Sequence, residues 1–83
     1  MSKKNIEIEK EILIFLTGGE VLRVDYKMDE DEDDYVYTDL KECWKANGFW
    51  LPGATCDATV WYGDSMLDEI DTRKIIGISI QQK

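Results

Sequence analysis

The sequence predicts an α+β fold: a single domain over residues 1–83 in the order ββαββ, a four-stranded, mainly antiparallel sheet with one helix packed on one face. Three observations predict it. Four segments alternate apolar and polar residues with the period of a strand. One segment between the second and third has the i, i+3, i+4 spacing of a helix. Glycine-containing turn signals separate the strands.

The first strand is "IEIEKEILIFL". Ile6, Ile8, Ile12, Ile14 and Leu16 share one parity, while Glu7, Glu9 and Glu11 share the other. "VLRVDYKM" follows, with Leu22, Val24, Tyr26 and Met28 on one face. The "TGG" between them sets the register. A two-residue Gly18-Gly19 turn would pair Phe15 with Leu22 and mix the faces. A three-residue Thr17-Gly18-Gly19 loop pairs Ile14 with Leu22, Ile12 with Val24, Ile8 with Met28 and Glu9 with Lys27. Only the second keeps one face apolar, so it predicts a type I turn closed by a bulge with Gly19 left-handed.

"YTDLKECWKANGF" predicts a helix. Thr38 or Asp39 caps its start, and Glu42 completes a capping box with Asp39. Leu40, Cys43 and Trp44 form its apolar stripe. Gly48 is the expected left-handed stop, with Phe49 folding back on Trp44. "ATCDATVWY" is the third strand, with Cys56, Ala58, Val60 and Tyr62 inward. "GDSMLDEID" is expected as a loop with at most one helical turn, and "RKIIGISI" as a fourth strand with Ile76, Ile78 and Ile80 inward. Of "GFWLPG", Trp50 and Leu51 are expected to close the end of the core. On the opposite sheet face this parity places Leu13, Phe15, Val21, Trp61 and Ile75. One helix cannot cover both faces, so these five form an apolar patch suited to self-association, as in a homodimer.

Charge excludes several functions. The chain has 83 residues and a net charge of −8. Residues 1–19 are neutral, residues 20–42 carry −7, and residues 43–83 carry −1. Direct binding to nucleic acid needs a Lys/Arg surface, and attraction to an anionic membrane needs the same. A basic protein partner is favoured instead. The N-terminal segment lacks the pattern of a signal peptide and no run is long enough for a membrane span, so the expected location is cytoplasmic.

Catalysis is disfavoured by the residue inventory. There is no His, which removes the usual general base, the commonest metal ligand, and the Ser-His and Cys-His nucleophile pairs. Cys43 and Cys56 lack the paired spacing of a zinc site. No glycine-rich phosphate loop is present. The expectation is a non-enzymatic domain without cofactor or metal. A small carboxylate-based enzyme remains as the alternative that composition alone leaves open.

The strongest lead is the run of six acids Asp29, Glu30, Asp31, Glu32, Asp33 and Asp34, followed by Tyr35 and Tyr37. It has three readings. One is a solvated connection whose charge favours the helix start. Another is a calcium loop, but a twelve-residue loop from Asp29 puts Asp34 where glycine is needed and Leu40 where the bidentate Glu is needed. Starting at Asp31 instead puts Val36 at the glycine position. The third is a protein-binding surface. If the run is extended, Asp29, Asp31 and Asp33 form one row about 6.6 Å apart, and Glu30, Glu32 and Asp34 another. Such rows imitate a phosphate backbone, and the tyrosines would anchor what the charges steer. In size and charge the chain resembles small acidic inhibitors that phages deploy against nucleic-acid enzymes. That likeness implies inhibition by DNA or RNA charge mimicry, and it carries no motif.

Overall fold

The computed structural model describes residues 6–55 and 57–83; the strand position expected for Cys56 lies outside them. The elements run β1 (Glu7–Leu16), β2 (Val21–Asp29), α1 (Tyr35–Lys45), β3 (Phe49–Trp50), a short α2 (Pro52–Thr55), β4 (Ala58–Tyr62), β5 (Ser65–Leu67), β6 (Ile70–Asp71), a 3₁₀ turn (Thr72–Lys74) and β7 (Ile75–Gln82). The main sheet has five antiparallel strands in the order β5-β4-β2-β1-β7, not four. β3 and β6 form a separate two-stranded ribbon.

The β1–β2 hairpin has the three-residue loop. Ile14 faces Leu22, Ile12 faces Val24, Ile8 faces Met28 and Glu9 faces Lys27. The Gly19 amide donates to the Leu16 carbonyl and the Leu16 amide to the Glu20 carbonyl, while Gly19 adopts φ 92°. A side chain there would be strained, which is why the turn needs glycine.

One buried cluster fills the space between the sheet and the elements on it. Ile12, Ile14, Leu22, Val24, Tyr26 and Val60 come from the sheet, Val36 and Leu40 from α1, and Trp50 and Ile70 from the ribbon. Trp50 is fully buried as expected, its indole N–H donating to Asp39 Oδ2 at 2.8 Å. Leu51 is exposed, contrary to expectation, and half of Phe49 is exposed as well. The Arg73 guanidinium lies 5.7 Å from the Phe49 ring centroid.

Both ends of α1 differ from expectation. The cap is Asp34, not Thr38 or Asp39. Its Oδ1 accepts from the Tyr37 amide at 3.1 Å, and its carbonyl accepts from the Thr38 amide. Tyr35, Val36 and Tyr37 are therefore helical, because a cap one turn earlier buries Val36 above Leu40 on the same stripe. The left-handed residue at the C-terminus is Asn47, at φ 55°, not Gly48. Gly48 donates to the Cys43 carbonyl and Asn47 to the Trp44 carbonyl, the paired bonds of a Schellman motif. Thr72, fully buried, ties this end to the ribbon: its hydroxyl lies within hydrogen-bond reach of the Cys43 and Gly48 carbonyls, and its amide donates to Gly48.

The second half departs from its sequence pattern in three places. Residues 54–55 belong to α2, so β4 is shorter than the nine-residue pattern, and Tyr62 at its end is half-exposed. Residues 63–71 are not a loop. Tyr62 faces Ser65 across a two-residue Gly63-Asp64 turn with Gly63 at φ 61°, a type II′ hairpin signal. In β7, Phe15 faces Gly77 while Leu16 faces Ile75, so Ile75 and Ile76 together oppose one residue. That bulge turns Ile75 inward (6% exposed) and leaves Ile76 out at 64%, reversing the expectation for both. Beyond it Ile78 and Ile80 keep their inward parity, packing against the cluster.

Candidate functional site

Three segments bring acids to one end of the sheet. β1 begins there with Glu7 and Glu9, exposed on the face away from α1. β2 ends there, and its last residue, Asp29, stands directly opposite Glu7. The turn 30–33 follows, with Glu30, Asp31, Glu32 and Asp33 all exposed. Like charges directly opposed on a sheet are unfavourable, and among the described residues no ion pair reaches Glu7 or Asp29.

The acidic run is not extended. Glu32 donates its amide to the Asp29 carbonyl at 3.1 Å and accepts the Asp29 amide on Oε1 at 3.1 Å. This closes a tight turn, so the two straight rows expected within 29–34 do not form. A row of the expected spacing exists elsewhere. Glu7, Glu9 and Glu11 lie at alternate positions of a true strand, about 6.8 Å apart, on one face of β1. The alternation "EIEKE" was legible as a strand, but its solvent side reads as ordinary polar surface until the turn is placed beside it.

Asp34 does not belong to the exposed surface. Its Oδ2 accepts from Lys10 Nζ at 2.6 Å and from the Tyr26 hydroxyl at 2.7 Å, while Oδ1 caps α1. Burial alone would raise this carboxyl. The bonds from Lys10, Tyr26 and the Tyr37 amide outweigh burial and hold it below the usual carboxylate range. Burial, then the bond to Asp34, pushes the Tyr26 hydroxyl far above its ordinary value. This trio fastens β1, β2 and α1 together.

The two tyrosines separate. Tyr35 is 44% exposed and lines a shallow cleft of about 300 Å³ that it shares with Glu7, Glu9, Lys27, Asp57 and Lys83. Tyr37 is half-buried against the core, with Lys41 Nζ 5.1 Å from its ring centroid. The acidic end is thus an open, mixed but predominantly negative surface with one accessible aromatic ring.

The opposite sheet face is divided along its length. A polar band crosses it where Glu11, Asp25 and Thr59 stand side by side. Arg23 Nε lies 3.3 Å from Asp25 Oδ2 and 3.8 Å from Glu11 Oε2, Lys83 Nζ lies 2.7 Å from Asp25 Oδ1, and Gln81 donates to Glu11. Toward the hairpin turn the face becomes apolar. Phe15 and Val21 are paired and exposed, and Leu13 and Trp61 flank Arg23, both half-buried. Of the five expected members of this patch, Ile75 is in the core. Met66, beside Trp61, joins the patch and was missed because residues 63–71 do not alternate for long enough to read as a strand.

Among the described residues no cluster of three or more His, Cys, Asp or Glu is placed to hold a metal, and no helix is long and apolar enough to cross a membrane. Burial, then the nearby Asp39 and Glu42, raises the Cys43 thiol, which suits packing rather than nucleophilic chemistry. Comparison of the chain with protein-family models, with curated proteins and with solved structures finds no match.

Proposed function

We propose that this is an acidic, non-enzymatic protein-binding domain whose site is the end of the sheet carrying Glu7, Glu9, Asp29 and the 30–33 turn, with Tyr35 as its aromatic anchor. The partner is a basic surface. The finer reading is a groove that a nucleic-acid-binding enzyme uses for DNA or RNA, blocked by charge mimicry. The observation that carries the proposal is the opposition of Glu7 and Asp29 beside four further exposed acids. Setting Glu7 opposite Asp29 is unfavourable for the fold, whereas a cationic partner would be steered to this acidic end and held there. Tyr37 and Asp34 drop out of the binding set, because both serve the fold.

The test is capture from a host lysate at low and at high salt. The first bait is wild type. The second carries Glu7→Gln, Asp29→Asn, Glu30→Gln, Asp31→Asn, Glu32→Gln and Asp33→Asn, leaving the Asp34 cap in place. The expected result is a basic nucleic-acid-binding protein retained by wild type, released by salt, and absent from the neutralised bait. Equal recovery by both baits would reduce the acidic end to solvated surface.

The apolar half of the outer face supports a second reading, a structural or regulatory module that associates with itself. Phe15, Val21 and Met66 are exposed there, and Phe15→Glu would abolish such association without touching the acidic end.

A further inference from the structure

β7 is an edge strand eight residues long, and it carries no charge from Ile75 to Gln82. Natural edge strands are usually short, charged or covered. The opposite edge of the same sheet, β5, is only three residues long. The hydrogen-bond parity of β7 follows from two bonds. The Lys83 amide donates to the Glu9 carbonyl, on the β7 side of β1, and the Glu30 amide to the Ile6 carbonyl, on its β2 side. Residues 77, 79, 81 and 83 therefore point their backbone groups at β1. Ile78, Ile80 and Gln82 point theirs outward, where no described strand lies. Their side chains are informative too: Ile78 and Ile80 pack only partly against the core, at its rim.

We propose that β7 pairs antiparallel with β7 of a second copy, about a two-fold axis at Ser79, to make one continuous ten-stranded sheet. In this register Ile78 faces Ile80 of the other copy and Ile80 faces its Ile78. Both are positions with outward backbone groups, so each pair can exchange two hydrogen bonds. Four isoleucines then meet on the helix-covered side and extend the two cores across the junction. A one-residue slip would oppose residues of unlike bonding parity and lose this.

Charge argues for a second copy in this orientation. A chain of −8 repels itself, so copies can approach only where neither is acidic, and β7 is such a place. Antiparallel pairing also sends the two acidic ends to opposite extremes of the joined sheet. Backbone pairing along one strand is a small interface, so the dimer is weak and concentration-dependent.

Sedimentation equilibrium of the full chain, with cysteine cross-linking, tests this. Expected are a reversible dimer at high concentration and at least a tenfold weaker association for Ser79→Lys, which sets like charges opposed at the axis on an exposed position. Phe15→Glu should leave association unchanged. On oxidation, Ser79→Cys should form a disulfide dimer well ahead of Gln81→Cys, whose counterpart in this register is Gly77, and ahead of wild type. A monomer at millimolar concentration overturns the proposal. So does a dimer broken by Phe15→Glu but not by Ser79→Lys, or equal cross-linking at 79 and 81.

Discussion

The Tyr26 hydroxyl donates to Asp34 Oδ2 at 2.7 Å, joining the second strand to the residue that caps the helix. Lys10 reaches the same oxygen from the first strand. One carboxylate therefore holds three elements in place, and its removal should be felt by all of them.

Asp34→Ala should cost about 2–4 kcal/mol, combining the lost cap with a buried tyrosine hydroxyl left without its acceptor. Tyr26→Phe should cost about 1 kcal/mol, because Asp34 keeps Lys10 and the Tyr37 amide. Chemical denaturation of the two variants beside wild type checks the order.

The same carboxylate predicts a pH dependence. Asp34 titrates below its unfolded value, so the folded state binds fewer protons around that pH. Its stabilisation is complete above the unfolded pKa of about 3.9 and is lost as pH falls through the folded value. The stability gap between wild type and Asp34→Asn should be constant near neutrality and should narrow below about pH 4. A gap that widens on acidification would contradict the assignment.

Glu7→Gln should raise stability by a few tenths of a kcal/mol, on the order expected for relieving one opposed like-charge pair. The same change should weaken capture of a basic partner. Thermal melts and salt-dependent pull-downs of one variant measure both. If stability and binding fall together, Glu7 is structural.

The bulge in β7 makes neighbouring isoleucines unequal. Ile75→Ala should cost about 2–4 kcal/mol, as for a truncated core residue, while Ile76→Ala should lie within about 0.5 kcal/mol of wild type. Reversal of that order would place the bulge one residue away.

Thr72→Val keeps the shape of a fully buried residue but removes its hydroxyl from the Cys43 and Gly48 carbonyls. The expected cost is about 1–3 kcal/mol, read by denaturant titration. Hydrogen exchange should quicken first at the amides of Asn47 and Gly48, which close the C-terminus of α1.

What the sequence by itself determined is local and periodic. Alternation over ten residues set the faces of β1 and β2, and the cost of burying the wrong face selected the three-residue loop and left-handed Gly19. The stripe through Leu40, Cys43 and Trp44 located the body of α1. The acidic excess and the missing histidine bounded the chemistry. Tertiary structure decided what depends on partners distant in sequence. Asp34 outcompetes Thr38 and Asp39 as the cap because Lys10 and Tyr26, far apart in the chain, converge on it. Ile75 enters the core because the bulge opposite Leu16 shifts the parity of β7 by one residue. Glu7 and Asp29 become neighbours only when the hairpin closes. The short strands β3, β5 and β6 carry too few residues for a period to show, and only pairing makes them strands. Strand order, and with it the open edge at β7, is likewise a matter of which surfaces meet, and no local pattern encodes it.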